Sequence, residues 1–562
     1  MPCSSRCVRL LASSFVIAAL CPNVGLVHAN PGLPLLHEQQ RELQELERQQ
    51  RLRRLSPSPI GTPAEATPSA SASKHCWPIS GVRLAGNTLI DSDVLNSSLE
   101  PLLQPCMSEA QINGVLKAIT RLYMERGYLA SRPYLANPLG GRGSLDILIV
   151  EGFVESVEFD DPQLPLSLSR AFPDLLGQPL TLQALEQGLR QMDRLRSVDL
   201  GADLKPGTLP GGTRVVIRAR RPLALRGQAQ VNVNNFGSVL VGRQQAALTL
   251  ALDSPLHQND FLQLGLMSSL PGSPGEFRGH TLAYSIPHGP WTLGISASEA
   301  RYQSPLPFLR FIDGVGSGSA GMYTLKLDRS LWHSQNALLG ASVQISHKRI
   351  SNRISVIKLG VQSSTLSTLD ADLNLSWRTD AQWNASLGYS QGLALFGADT
   401  QTINPSSPEP QFRKYRASLW HRRERTDPLT RWRWDSELAA QYSPDPLSAL
   451  EQMGVGGPSA VRGFRDSTVS GSSGAVWRNT LSLPLNTGLP LEIRPAIGLD
   501  AGWSRFDHGS PSQRLLGMSA GLHLTRPDAR LSLEYQRPLH NDNTPRHALE
   551  AGHWRAQLTL VF

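Results

Sequence analysis

The sequence predicts a membrane β protein: a transmembrane β-barrel of about sixteen strands, preceded by an N-terminal helix and two small α+β domains. Three observations support this prediction. From about residue 224 onward, apolar and polar residues alternate through strand-length segments separated by turns. The front half repeats one α+β element order twice. The chain begins with an export signal, and no later run of about 18 apolar residues predicts a transmembrane helix, which leaves a soluble protein or a barrel.

Residues 1–29 are expected to be a signal peptide. Two arginines precede an apolar stretch at residues 10–20, and the segment ends in a site of the A-x-A type. Cleavage is expected between Ala29 and Asn30. The mature chain is therefore expected to act outside the cytoplasm.

The net charge and the cysteines indicate which partner to exclude and which cross-link to expect. The formal net charge is +8, but the basic residues are scattered, so we expect barrel rims and lumen rather than a nucleic-acid partner. Three of the five cysteines leave with the signal peptide, and Cys76 and Cys106 remain. An even pair in an exported chain favours a disulfide, although two unrelated free thiols are the alternative.

The segment after the signal peptide has two parts. Residues 30–55 are predicted to be helical, with an apolar stripe too thin to build a core alone. Residues 56–75 are rich in Pro, Ser, Ala and Thr without periodicity, which predicts a flexible, partly extended linker.

Two compact α+β domains are predicted over residues 76–152 and 153–223. Both follow the order strand, helix, helix, strand, strand. In the first domain, Ser108 and Gln111 are spaced as a capping box before an apolar helix face. In the second domain, Thr181 is a candidate helix cap.

Residues 224–562 are predicted to form the barrel. By parity, Phe562 at the end of the last strand faces lipid beside Leu558 and Leu560, and a terminal aromatic strand resembles the insertion signal of bacterial outer-membrane barrels. Every Trp except Trp77 lies in this region, which is consistent with interfacial girdles. Strands are expected to begin near residues 226, 243, 260, 277, 291, 318, 335, 366, 381, 412, 431, 474, 491, 514, 529 and 553.

A glycine-rich loop lies between two of these strands. It contains Val461-Arg462-Gly463-Phe464. This motif resembles the V-R-G-[YF] signature of the outer-membrane assembly and secretion superfamily, whose barrels work with periplasmic POTRA domains. The resemblance implies that the loop at about residues 454–473 folds back into its own barrel, with Gly463 letting the backbone approach the wall and Phe464 packing at the tip.

A partner for the loop is implied by the same resemblance. The superfamily carries an Asp in a strand motif matched here by Leu499-Asp500-Ala501-Gly502, without the usual Phe. Strand alternation points Asp500 into the lumen, where the resemblance pairs it with Arg462. A guanidinium suits this role because its fork can bind a carboxylate through two hydrogen bonds. The alternative is an extracellular loop with an ordinary exposed arginine.

Further motifs resemble a narrower family, the TpsB transporters of two-partner secretion, also called hemolysin activators. In that family the first α+β domain is a POTRA domain, and a plug helix and a linker precede it. One departure is Ser131 before Arg132, where the family usually has Thr. The motifs that carry the resemblance are Cys76-Trp77-Pro78-Ile79, Tyr123-Met124-Glu125-Arg126-Gly127-Tyr128-Leu129, Gly143-Ser144-Leu145-Asp146, Glu151-Gly152 and Tyr284-Ser285-Ile286-Pro287.

The resemblance implies an outer-membrane transporter. Its expected cargo is a single large exoprotein, with an adhesin, a hemolysin and a contact-dependent toxin all compatible. The POTRA domains would lie in the periplasm and bind the extended cargo by β-augmentation. Activation of that cargo is a further role that the resemblance implies. No cofactor or nucleotide is implied, and the expected assembly is a monomer surrounded by outer-membrane lipids.

Three other functions are alternatives to a transporter: an insertase, a passive porin and a barrel enzyme. An outer-membrane protein insertase of the same superfamily would usually have more POTRA domains and would lack the helix and linker. A passive porin would need neither POTRA unit. A barrel enzyme is disfavoured, because the G-x-S-x-G match at residues 517–521 lies in an alternating strand segment rather than a strand–turn–helix elbow.

Overall fold

The computed structural model describes residues 32–55, 60–61, 76–137, 143–221, 224–306, 314–334, 336–360, 363–402, 407–427, 431–457, 460–465, 469–485, 488, 490–507 and 509–562. The expected signal peptide and its cleavage site at Ala29 and Asn30 lie outside these residues. None of the helices in the described ranges is both long and apolar enough to cross a membrane.

The first helix, α1 (Gly32–Arg54), lies inside the barrel lumen. Glu47 on this helix forms an ion pair with Lys326 of the barrel wall, with 2.6 Å between Oε2 and Nζ. The guanidinium of Arg48 lies 4.3 Å from the ring centroid of Trp420. After α1, Ile60–Gly61 forms the two-residue strand β1. The helix therefore fills the lumen from residues that the sequence predicted to be helical.

The first α+β domain is a three-stranded sheet with two helices against one face. The elements are β2 (Cys76–Pro78), β3 (Gly81–Ala85), α2 (Ser92–Leu99), β4 (Cys106–Ser108), α3 (Glu109–Glu125), β5 (Arg132–Leu135) and β6 (Ser144–Val150). The sheet order is β3-β6-β5, and a small separate ladder joins β2 to β4. As predicted, Ser108 and Gln111 form a capping box at the start of α3.

The second α+β domain repeats this topology and gains one strand from the linker. Its elements are β7 (Phe153–Phe159), α4 (Leu168–Ala171), α5 (Leu182–Met192), β8 (Leu200–Pro206) and β9 (Gly212–Ala219). Thr181 caps α5 by accepting a hydrogen bond from the Ala184 N–H, as predicted. The sheet order is β1-β8-β9-β7, with β1 parallel to β8. Composition alone did not predict that the linker would contribute a strand.

The remaining chain closes into a barrel of sixteen spanning strands. The first and last of these pair antiparallel and close the cylinder. The strands are β10 (Gly227–Asn234), β11 (Gln245–Asp253), β12 (Phe261–Ser269), β13 (Glu276–His288), β14 (Trp291–Leu306), β15 (Gly314–His333), β16 (Ala337–Ile354), β17 (Ile357–Lys358), β18 (Ser364–Arg378), β19 (Ala381–Leu393), β20 (Arg413–Thr426), β21 (Arg431–Tyr442), β22 (Met453–Gly454), β23 (Ser470–Gly471), β24 (Ser473–Ser482), β25 (Glu492–Arg505), β26 (Gln513–Thr525), β27 (Ala529–Asn541) and β28 (His553–Val561). Three of these are not among the sixteen spanning strands: the short strand β17 extends a hairpin on β16, and β22 pairs with β23 inside a loop.

Side-chain alternation separates lipid from lumen along these strands. On β25, Ile497 and Leu499 are 60% and 59% exposed on the outer face, whereas Asp500 is 1% exposed on the inner face. Trp477 and Trp554 are 51% and 56% exposed and lie on the same strand faces as the exposed Leu481 and Leu558, as expected of girdles. Trp420 is an exception, because it faces inward toward Arg48.

The second α+β domain docks on the short-turn end of the barrel. Arg194, just after α5, donates to the Asn259 carbonyl oxygen at 2.7 Å. Gln191 on α5 donates to the carbonyl oxygen of Gly289 at 2.9 Å. Arg190 on the same helix donates to the Arg54 carbonyl oxygen at 2.9 Å, which joins this domain to the end of α1. The long loops therefore lie at the opposite end of the barrel.

Candidate functional site

The segment between β21 and β24 is called the lumenal loop. Its described residues, 443–457, 460–465 and 469–472, fold into the lumen from the long-loop end. Within it, β22 and β23 pair as a small hairpin. Val455, Val461 and Phe464 are buried together with wall residues Val476 and Leu515. The loop thus packs on the inner surface of β24 and β26. It also includes residues 443–453, which the sequence analysis did not assign to it.

Arg462, in the tip of the lumenal loop at residues 461–464, meets Asp500 on β25. The guanidinium binds the carboxylate through two hydrogen bonds: Nε to Oδ2 at 2.7 Å and Nη2 to Oδ1 at 2.5 Å. The Arg462 backbone N–H donates to Oδ2 at 3.0 Å. The remaining donors reach Thr480 Oγ1 at 3.0 Å and the Asn479 carbonyl oxygen at 2.7 Å. This arrangement fixes both the side chain and the backbone of the tip.

The ion pair is enclosed by protein. The side chains of Arg462 and Asp500 are 3% and 0% exposed. Removing one partner of a buried pair leaves an uncompensated charge, which typically costs about 3–5 kcal/mol. A second cation, Arg478, lies with Nε 4.0 Å from Asp500 Oδ2. The position of the tip therefore depends strongly on both charges being present.

Glycines let the tip approach the wall this closely. Gly463 has a φ of 99°, in the region that favours glycine, and a Cβ there would overlap the Arg537 backbone. A Cβ at Gly517 would overlap the Arg462 carbonyl oxygen, and one at Gly498 would overlap its guanidinium. A larger residue at any of these positions would push the tip away from Asp500.

The other residues singled out in the sequence lie away from this site. The disulfide between Cys76 and Cys106 is present and joins β2 to β4, with 5.6 Å between the Cα atoms. Phe562 is 71% exposed, and its N–H donates to the Ala229 carbonyl oxygen at 2.8 Å where the barrel closes. Ser519 lies in the middle of β26, so the strand–turn–helix geometry of a nucleophile elbow is not formed there.

Two groups of lumenal residues were missed by sequence reasoning. One group holds α1: Glu47 with Lys326, and Arg48 with Trp420. The other group surrounds Glu451 in the lumenal loop. Strand parity could have placed the wall residues in the lumen, but it carries no information about which residues they meet across it.

A closed barrel with an in-folded V-R-G-F loop and two α+β domains defines a class of outer-membrane protein, the barrels that work with POTRA domains. The family described as haemolysin secretion/activation protein ShlB/FhaC/HecB matches residues 211–524. A ShlB-type POTRA domain matches residues 77–152, and a further POTRA domain matches residues 153–206. The chain belongs to the ShlB/FhaC/HecB family.

Curated relatives and a solved structure agree with this membership. Hemolysin transporter protein HpmB from Proteus mirabilis is 32% identical over 522 residues, covering 89% of this chain and 88% of the relative. Hemolysin transporter protein ShlB from Serratia marcescens is 33% identical over 520 residues, covering 91% of each. The structure of CdiB from Escherichia coli superposes with a TM-score of 0.81 at 27% identity, covering 96% of this chain and 100% of CdiB.

The family decides between the functions that the sequence left open. This chain is an outer-membrane transporter that secretes a partner exoprotein, and its POTRA domains lie in the periplasm. The family supports transport over the insertase alternative. Its members are described as transporters rather than enzymes.

Proposed function

We propose that the lumen is the export path, that the described conformation is its closed resting state, and that α1 and the lumenal loop are the two elements that must move. The cavity left in the lumen, about 740 Å³, is lined by residues of α1, such as Leu43 and Arg51, together with wall residues. Both elements therefore occupy the space that an extended polypeptide would need. The observation that carries this proposal is the buried pair of Arg462 and Asp500, which ties the loop to the wall by noncovalent contacts that can break and re-form.

The contact between Arg462 and Asp500 can hold the loop tip and still release it. Its charge-assisted hydrogen bonds hold the tip while the site is enclosed. When the loop leaves, water can reach both charges, and hydration offsets most of the lost attraction. The tip is thus held firmly in the closed state without being trapped there.

We propose that the cargo first meets the edge of the first POTRA sheet. In the order β3-β6-β5, β5 has a sheet neighbour on its β6 side alone within the described residues. Tyr134 and Leu135 on β5 are 55% and 38% exposed. An extended cargo segment could pair with this edge through its backbone and pack an apolar side chain on Tyr134. In the second POTRA domain, β1 already covers the β8 edge.

We further propose that export needs no catalytic activity, cofactor or nucleotide, and that one chain is sufficient. The chain closes its own barrel by pairing β10 with β28. The outward side chains of β25 are apolar where outer-membrane lipids would contact them. The family description includes activation as well as secretion, and we propose that folding of the cargo on leaving the lumen accounts for both.

The cargo is proposed to be one large exoprotein encoded beside this chain. Co-expression of the two in a Gram-negative host, followed by detection of the exoprotein on the surface and in the medium, tests this. Without the transporter, cargo should stay in the periplasm while the other outer-membrane proteins keep their normal levels. A general loss of folded outer-membrane proteins would instead support an insertase.

A matched pair of variants tests the docking edge in the same assay. Tyr134→Arg places a charge on the exposed β5 edge and should reduce export at least about ten-fold if the edge receives apolar cargo residues. Met124→Arg, on α3 and 41% exposed, is the control and should export normally. Equal export by both variants would argue against the β5 edge as the docking site.

A further inference from the structure

The lumenal loop has a second buried contact with the wall, at Glu451. The Lys348 ammonium donates to Glu451 Oε1 at 2.6 Å, and the Lys414 ammonium donates to Oε2 at 2.5 Å. The Glu451 side chain is 1% exposed, and each lysine side chain is 9% exposed. Lys348 lies on β16 and Lys414 on β20, with β18 and β19 between them in the barrel. One carboxylate of the loop therefore joins two wall strands that are not neighbours.

The chain around Glu451 is also seated in the wall. Its carbonyl oxygen accepts a hydrogen bond from Gln441 Nε2 at 2.9 Å. Leu447 and Leu450, in the same part of the loop, are 0% and 6% exposed and are buried in one cluster with Phe412 of the wall side. Residues 443–453, which we call the arm of the lumenal loop, are thus held by apolar packing as well as by charge.

The charges around Glu451 balance only while the arm is in place. Arg416 contacts Asp370 at 3.3 Å and Asp372 at 3.0 Å on the wall next to the two lysines. Without the loop, the wall residues of this group carry three positive charges and two negative charges: Lys348, Lys414 and Arg416 against Asp370 and Asp372. Glu451 supplies the third negative charge, and it is the member of the group that the loop contributes. Without Glu451 these wall residues would carry a net positive charge that only water could compensate, so they favour the closed position of the arm.

We propose that Glu451 is a second anchor of the lumenal loop, which holds the arm against β16 and β20 while Arg462 holds the tip against β25. This inference rests on the proposed function, because an anchor matters only if the loop moves. Glu451 is a positioning residue: it acts by setting where the arm lies. The two anchors are on different parts of the loop and contact different wall strands, so each should control its own part.

Cysteine reporters on intact cells separate the two anchors. Ser448 on the arm and Ala460 beside the tip are 7% and 4% exposed, so Ser448→Cys and Ala460→Cys should react slowly with a membrane-impermeant maleimide. Cys76 and Cys106 are joined in a disulfide and do not compete. Glu451→Gln should speed labelling at position 448 by about ten-fold or more and leave position 460 within about two-fold. Arg462→Ala should instead speed labelling at position 460 by about ten-fold or more and leave position 448 within about two-fold.

The controls address charge and folding. Asp542→Asn, which removes an ion-paired carboxylate from another loop at the same end, should change neither labelling rate. Combined Lys348→Met and Lys414→Met changes should speed labelling at position 448 as Glu451→Gln does, since they remove the same contact. These lysine variants also provide the test if Glu451→Gln lowers the amount of folded, heat-modifiable protein.

The outcomes distinguish the anchor from the gate. Unchanged labelling at position 448 in both the Glu451 and the lysine variants, or equal acceleration at both positions, would overturn the second anchor. If labelling follows the expected pattern but Arg462→Ala exports cargo normally, the second anchor stands and the proposed gate fails. If Arg462→Ala blocks export but position 448 stays protected in both the Glu451→Gln and the lysine variants, the gate stands and Glu451 is not an anchor.

Discussion

Glu47 of α1 and Lys326 of β15 form an ion pair within the lumen, with 2.6 Å between Oε2 and Nζ. On the next residue of the helix, the Arg48 guanidinium lies 4.3 Å from the ring centroid of Trp420 on β20. The Arg54 carbonyl oxygen accepts a hydrogen bond from Arg190 of the second POTRA domain. The helix is therefore held by the wall on two strands and by the periplasmic domain at its end.

Deletion of residues 33–55 is expected to raise single-channel conductance in planar bilayers, because the helix fills lumen that ions could cross. Lys326→Met should raise the frequency of large openings by less than the deletion does, since Arg48 and Arg190 still hold the helix. Lys358→Met, on the exposed hairpin strand β17, is the matched control and should behave as wild type. Unchanged conductance after the deletion would contradict the proposal that α1 plugs the lumen.

Much of the architecture could be predicted from periodicity. The sixteen barrel strands begin within a few residues of their expected positions, and the largest difference is at β15, expected near residue 318 and observed at Gly314. Alternation also placed Asp500 on the inner face of β25, where it is 1% exposed. These predictions succeed because the two faces of a barrel strand have different solvents, which selects residue types with a period of two. That Phe562 faces lipid stays a prediction.

Contacts across the lumen could not be predicted in this way. Parity makes Lys326, Lys348 and Lys414 lumenal, but their partners come from α1 and from the arm of the loop. Which residues meet depends on the closed barrel and on the depth to which helix and loop enter it. The same reason applies to β1, whose pairing with β8 is a backbone contact without a side-chain pattern. Only the pairing of Arg462 with Asp500 could be inferred beforehand, and that came from family resemblance.

The disulfide should stabilise the first POTRA domain. Cys76 and Cys106 are 30 residues apart and join β2 to β4. Closing a loop of this length stabilises by roughly 3–4 kcal/mol in the chain-entropy model. The Cys76→Ser, Cys106→Ser double variant is therefore expected to make this domain more sensitive to limited proteolysis. Mass spectrometry of the non-reduced mature protein that finds both thiols free would refute the pairing.

The first POTRA domain should lose stability in acid through Glu151. Partial burial raises the pKa of this carboxyl, but hydrogen bonds from Thr88, Leu89 and Tyr123 outweigh it, so the pKa lies below the ordinary 4.5. A carboxyl whose pKa is lowered by folding stabilises the fold above its unfolded pKa, and this stabilisation is lost as pH falls through the folded pKa. The loss is therefore expected below pH 4.5.

Hydrogen exchange of the full-length protein, corrected for intrinsic rates, measures this effect in α3. Glu151→Gln should reduce protection at pH 7 and should weaken its further fall in acid. Glu109→Gln, at an exposed position in the first turn of the same helix, is the control. Equal acid sensitivity of the wild type and Glu151→Gln would show that other groups control the transition.

Phe562 is expected to matter for barrel assembly more than for transport. It is 71% exposed on the outer face, and its backbone exchanges hydrogen bonds with Ala229 at the closing seam. Removing Phe562 should lower the amount of folded, heat-modifiable protein in the outer membrane. Export per folded molecule should stay close to wild type. Normal levels of folded protein would contradict a role in insertion.

The pair of Arg462 and Asp500 tests the central claim that a wall-anchored loop controls export. Arg462→Ala should leave the barrel inserted and strongly reduce secretion, because a freed tip samples many lumenal positions. Asp500→Ala should have a similar effect. Since both variants break one contact, the double variant should be little worse than either, whereas independent sites would give additive losses. Arg301→Ala, on an arginine whose side chain is 78% exposed, controls for loss of a barrel cation.

The most direct measurement is secretion of the partner exoprotein by Arg462→Ala at equal amounts of folded transporter in the outer membrane. The pair is buried and bidentate, so we expect export to fall at least about ten-fold. Export at the wild-type level would contradict the control of transport by the lumenal loop.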